Sequence, residues 1–81
     1  MTDDVYKILT AHERHLLTAK MARYVTGMGS RSAGELIGAY NALYGEHRPV
    51  TTCSRCLLKI CEKLAEDYFP EKERRERDAG V

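Results

Sequence analysis

The sequence lacks any apolar run approaching the roughly 18 residues at which a helix could cross a bilayer, so no membrane span is expected. Charge of one sign is also missing: 13 Lys and Arg stand against 12 Asp and Glu, and the overall balance points to neither nucleic acid nor a membrane surface. No four-residue window alternates cleanly with β-branched residues, so no strand is predicted, and no segment repeats another. Cysteine is scarce. Cys53, Cys56 and Cys61 are an odd number set close together, a poor disulfide framework, which fits a reducing, cytoplasmic setting. The opening Met1-Thr2-Asp3-Asp4 is acidic where a leader peptide is basic, and no leader is expected. At 81 residues the chain has material for one core and little for a deep catalytic cavity.

What is present is helical periodicity. Val5, Ile8, Leu9, His12, Leu16, Ala19 and Ala22 form one stripe of period 3.6, with Thr2 as a cap and Asp3 and Asp4 at the positive end of the helix dipole. Thr10 and Glu13 also fit a capping box, which would divide the segment into a short and a longer helix; a single helix from about Asp3 to Thr26 is the preferred reading. The stretch Gly27-Met28-Gly29-Ser30-Arg31-Ser32 breaks it. Ser32 and Glu35 then form a second capping box ahead of Ala33, Leu36, Ile37, Tyr40, Leu43 and Tyr44, and Gly45 is placed to end that helix. Thr51 or Thr52 can cap a third helix whose stripe is Cys53, Cys56, Leu57, Ile60, Cys61, Leu64, Ala65 and Tyr68, with Pro70 at its end. From Glu71 to Asp78 the residues are charged and without apolar period, so a mobile tail is expected over 71–81. The expectation is an all-α, three-helix bundle over residues 1–70.

The Cys53-Ser54-Arg55-Cys56 spacing is half of a structural zinc site, and His12 and His15, three apart on one helical face, could complete a Cys2His2 set if the first helix crosses the start of the third. His47 and Cys61 are spare donors. The same spacing also suits a dithiol redox pair at a helix N-terminus beside Arg55, although such sites are expected near a βαβ pattern that is missing here. Core packing is the preferred reading of all three cysteines, because they fall on the stripe that the helix must bury. His12 is read as a core-edge residue with one hydrogen bond. No nucleophile can be placed beside a base oriented by a third group, so no catalytic residue and no enzymatic activity are expected.

Charge is unevenly distributed. Arg14, Lys20, Arg23, Arg31, Arg48, Arg55, Lys59 and Lys63 face only Glu35, Glu46 and Glu62 over the same stretch, a local excess of five positive charges. Arg55, Lys59 and Lys63 repeat every fourth residue on the outer side of the third helix. With Arg48, and with Arg14, Lys20 or Arg23 if these share the surface, they could track phosphates without reading bases. A solvated helix face has the same appearance. The Gly45 to Thr52 connection is about twice the length of a helix-turn-helix turn. Gly27-Met28-Gly29 with Arg31 could hold a phosphate, but lacks the lysine and preceding strand of a P-loop and reads more simply as a flexible connection. Tyr24, Tyr40, Tyr44 and Tyr68 could stack on bases, but at helical spacing they are expected to be core residues whose hydroxyls reach the surface, and Tyr6 is the least committed of the five tyrosines.

From Tyr40 to Tyr68 the string Tyr40-Asn41-Ala42-Leu43-Tyr44-Gly45, a short polar connection with Pro49, Thr51-Thr52-Cys53-Ser54-Arg55-Cys56 and an amphipathic helix resembles small helical proteins of Bacteroidetes and their phages or prophages. The resemblance spans about 29 of the 81 residues. It implies a mobile-element origin and a paired role for Cys53 and Cys56, with no activity attached, and leaves Cys61 to the core. Taken together, the expectation is a domain that binds a macromolecule: a protein partner ahead of nucleic acid, no membrane, and no cofactor unless zinc.

Overall fold

A computed structural model describes residues 1–25 and 28–80; Thr26, Gly27 and Val81, on which part of the first connection and the end of the tail were expected, lie outside the described residues. Among the described residues the chain is helical without strands: α1 is Asp3–Ala11, α2 Glu13–Ala22, α3 Ser30–Tyr44 and α4 Ser54–Ala79. The all-α class stands. The three-helix count does not, because the first periodic segment is two helices.

The division falls at His12. Thr10 does not cap the second helix, since its hydroxyl donates to the Tyr6 carbonyl at 2.8 Å. Instead His12 ends α1 with φ −113° and ψ 23°, and its own carbonyl accepts from His15 and Leu16. The apolar period continues across the bend, which is why it reads as one helix. What bends the chain is tertiary: α1 packs mainly on α3, α2 packs mainly on α4, and the turn at His12 lets one continuous stripe serve both. At the other end Thr2 caps α1 as expected, accepting from the Val5 N–H at 3.3 Å. The second expected capping box is also replaced: α3 starts at Ser30 after Gly29, and the Glu35 carboxylate turns to His12 and Arg31.

The core holds Val5, Leu9, Leu16, Ala19, Ala33, Leu36, Ile37, Ala39, Tyr40, Leu57, Ile60, Cys61, Leu64, Ala65 and Tyr68. Each large member contributes about 1.5–3 kcal/mol through removal from water. Most of these positions were on the expected stripes. Ala22, Cys53 and Cys56 were too, yet all three are exposed. Ala22 closes α2 where the chain turns away. Cys53 and Cys56 stand at the start of α4, beyond the end of α2: Lys20 and Arg23 lie level with Glu62, Ala65 and Glu66, so α2 does not reach the first turn of α4.

Gly45 adopts φ +66° and ends α3, as the sequence predicts. Gly38, by contrast, sits inside α3 with nothing within 4 Å of the place a Cβ would occupy. Alanine at the two positions should therefore act in opposite directions: Gly45→Ala is expected to lower stability by roughly 1–2 kcal/mol and Gly38→Ala to raise it by about 0.5–1 kcal/mol. Urea unfolding of the two variants measures this, and equal signs would contradict the assignment of the helix end.

The largest departure from expectation is the C-terminal segment. α4 runs through Pro70 to Ala79, so residues 71–79 are helix and not a mobile tail. Its 26 residues span about 39 Å at 1.5 Å per residue, which sets the 41 Å long axis of the molecule. Proline removes one helical hydrogen bond, and the segment beyond it has no apolar face to bury. Charge partners distant in sequence hold it instead. Lys72 pairs with Glu13, and Arg75 reaches Asp3 at 2.9 Å and the Met1 carbonyl at 3.2 Å while lying over the Tyr6 ring at 4.2 Å. Within the helix, Glu71 accepts from both Arg74 and Arg75 at 2.9 Å.

Arg74 first, then Arg75, pull the Glu71 carboxyl from 4.5 to about 2. A carboxylate depressed on folding stabilises fully above its unfolded pKa, and that contribution is lost as pH falls from about 4.5 towards 2. The urea midpoint is therefore expected to fall as pH drops from about 4.5 to about 2, and Glu71→Gln to flatten that decline. An unchanged acid limb in the variant would remove Glu71 from the account.

Candidate functional site

The proposed zinc donors are not gathered. His12 Nε2 bonds to Glu35 Oε2 at 2.7 Å with only 11% of the histidine side chain exposed, the core-edge role expected of it. The His15 ring lies 6.0 Å from the His12 ring; partial burial first, then His12 and Arg14, lower its pKa below the usual histidine value. The adjacent Glu13 accepts from the Tyr68 hydroxyl at 3.1 Å, which puts the histidines beside the middle of α4. Cys56 is twelve residues earlier on that helix, about 18 Å away along its axis. Among the described residues no group of three or more His, Cys, Asp or Glu side chains could hold a metal ion.

Of the seven cations named for nucleic acid, four have contacts that place them on two different flanks of α4. On the α2 side, Lys20 lies over the Phe69 ring at 4.9 Å and, with Arg23, lines a hollow shared with Glu62 and Glu66. On the α3 side, Lys63 lies over the Tyr44 ring at 5.5 Å and pairs with Glu66 at 3.7 Å, while Arg48 lies over Tyr40 at 5.2 Å and pairs with Glu46 at 3.0 Å. Arg14, Arg23, Arg55 and Lys59 are exposed and form no ion pair among the described residues. Acids therefore interleave the basic ridge: Glu62 on one flank, Asp67 bonded to the Tyr44 hydroxyl on the other, Glu66 between them. Arg31 is turned to Glu35 at 3.6 Å.

The tyrosines follow expectation only in part. Tyr68 is fully buried and Tyr40 nearly so, with its hydroxyl donating to Glu46 at 3.0 Å. Burial first, then the bond to Asp67, pushes the Tyr44 hydroxyl well above its usual pKa, so it stays a donor. Tyr24 is half exposed, at 50%.

Tyr24 belongs to a feature that stripe reading passes over. Leu17 is 47% and Met21 73% exposed, one turn apart on the outer side of α2, with Tyr24 just past its end. The buried face of that helix is Leu16 and Ala19. Arg14, also exposed, precedes Leu17 by one turn, and Arg23 adopts the left-handed conformation, φ 58°, at the helix end. Large apolar residues off the buried stripe are the signal in the sequence: on a wheel of period 3.6, Leu17 and Met21 fall on the side opposite Leu16 and Ala19.

The geometry defines a small all-helical protein with one exposed apolar edge and no helix, among the described residues, long and apolar enough to cross a membrane. No protein-family model, curated protein or solved structure matches the chain.

Proposed function

We propose that the protein is a non-enzymatic interaction module that binds a protein partner through the outer face of α2. One observation carries this reading: of the four large apolar side chains exposed among the described residues, Leu17, Met21, Tyr24 and Val50, two stand one turn apart on the outer side of α2 and a third, Tyr24, follows just past its end. Scattered exposed apolar residues need no explanation, but a contiguous row does. Methionine adapts its shape to a partner surface, and Met, Tyr and Arg are enriched where protein interfaces are fully buried. Arg14, exposed and without an ion pair among the described residues, stands one turn before Leu17, so the complementary partner surface is an apolar ridge with a carboxylate at that end. A nucleic-acid partner is the second reading; it rests on Arg55 and Lys59, the two unpaired cations of the α4 ridge, and is weakened by the neighbouring acids.

Charge on the apolar row tests the first reading. Because Leu17 and Met21 are exposed, L17E/M21E is expected to fold with the stability of the parent and to lose a protein partner co-purified from native cells, while Lys59→Glu retains it. Retention by the double variant together with loss in Lys59→Glu would move the surface to α4.

A further inference from the structure

Cys53 and Cys56 were expected in the core, yet both are exposed, and they occupy the N-cap and third position of α4. The turn between them is closed: the Leu57 N–H donates to the Cys53 carbonyl at 2.9 Å, and Cys53 itself is extended at φ −63° and ψ 118°. An N-cap side chain turns back towards the third helical position, as in a capping box. Across one such turn the Cα atoms lie about 5 Å apart, inside the roughly 4.4–6.8 Å range of disulfides. The two sulfurs can therefore be joined without moving the helix. Cys53 makes no full capping hydrogen bond, but the N–H groups of Cys56 and Arg55 and the Cys56 thiol lie close enough to favour its thiolate. The neighbouring Cys53 sulfur, first, raises the Cys56 thiol above its ordinary value. The third cysteine is different in kind: Cys61 is fully buried and its thiol is raised to about 11 by that burial alone.

The surroundings select a class of reactant. Cys56 opens onto a hollow of about 280 Å³ lined also by Arg48, Pro49, Thr51 and Ile60. Arg55 and Lys59, both exposed and without an ion pair among the described residues, stand on the same first turns of α4. Disulfides whose substituents carry carboxylates suit this positive border; cationic ones do not.

We propose that Cys53 and Cys56 form a thiol–disulfide exchange site for small carboxylate-bearing disulfides of the oxidised-glutathione type, Cys53 attacking and Cys56 resolving. The Cys53 thiolate attacks one sulfur of the small disulfide; its bond to that sulfur forms, the S–S bond breaks, and the leaving thiolate takes up the proton that Cys53 gave to solvent. Cys56 then loses its proton to solvent, attacks the Cys53 sulfur, and expels the second small thiolate, which is protonated in turn. Two cysteine thiols are oxidised to one disulfide, and one small disulfide is reduced to two thiols. The first step relies on the thiolate at the helix start, and the second on the resolving thiol one turn away.

Oxidised glutathione and cystamine, an anionic and a cationic disulfide, are the probes. The full chain is incubated with each, quenched by alkylation and read by peptide mass spectrometry. The expected product is a Cys53–Cys56 disulfide with Cys61 still a free thiol. Cys56→Ser should hold one glutathione on Cys53, Cys53→Ser should react about tenfold more slowly, and oxidised glutathione should outpace cystamine by a margin that salt narrows. A glutathione adduct persisting in the unsubstituted chain, a disulfide between two chains, or first reaction at Cys56 would overturn the exchange site. Equal rates for the two probes would overturn the preference for carboxylates.

Discussion

Tyr68→Ala is expected to leave the chain largely unfolded. The ring is fully buried, stacks on Tyr6 of α1 at 5.5 Å and meets Phe69 edge-on at 5.1 Å. Its hydroxyl bonds to Thr10 at 3.2 Å and Glu13 at 3.1 Å, so one side chain of α4 joins both halves of the bent N-terminal segment. Truncating a buried aromatic costs roughly 3–5 kcal/mol, and a chain of this length has about 4–12 kcal/mol in total. Tyr68→Phe separates the contributions: it keeps the ring, removes the hydroxyl, and is expected to cost about 1–2 kcal/mol. Urea unfolding followed by far-ultraviolet circular dichroism gives both values. A loss for the alanine variant no greater than for the phenylalanine one would mean that the ring is not central to the core.

Ending the chain after Pro70 is the second change with a large expected effect. A mobile tail could be removed without consequence. In this structure removal takes away Lys72 from Glu13, and Arg75 from Asp3, the Met1 carbonyl and the Tyr6 ring, so the start of α1 loses its charged partners. The thermal midpoint is expected to fall by several degrees, with most of the lost order in α1. Arg75→Ala within the full chain should reproduce part of the fall, because its guanidinium both stacks on Tyr6 and pairs with Asp3. A midpoint unchanged by truncation would restore the reading of 71–81 as a tail.

How far the sequence could be read follows from where each determinant lies. The helical class, the Gly45 end of α3 and the stripes of α3 and α4 depend on residues within a turn or two of one another, and periodicity reports them directly. The bend at His12 depends on Glu35 and Tyr68, far away in sequence, while the stripe passes through it unbroken. The C-terminal helix is invisible to the same test for a related reason: its stabilising groups are Asp3, Glu13 and Tyr6 at the other end of the chain. Cysteine on an apolar stripe reads as core, but the stripe says nothing about whether another helix extends far enough to cover its first turn. The candidate binding surface is written in the sequence as Leu17 and Met21, but the helical period that marks a buried face carries no signal for apolar residues on the opposite side.

The central claim is that the outer face of α2 carries the interaction. Its most direct test places a photo-crosslinking residue at position 21 in one preparation and at position 59 in another, with irradiation in native cells. A discrete protein adduct is expected from position 21, lost when Leu17 is changed to Glu, and none from position 59. An adduct to nucleic acid, or protein adducts from position 59 alone, would contradict it.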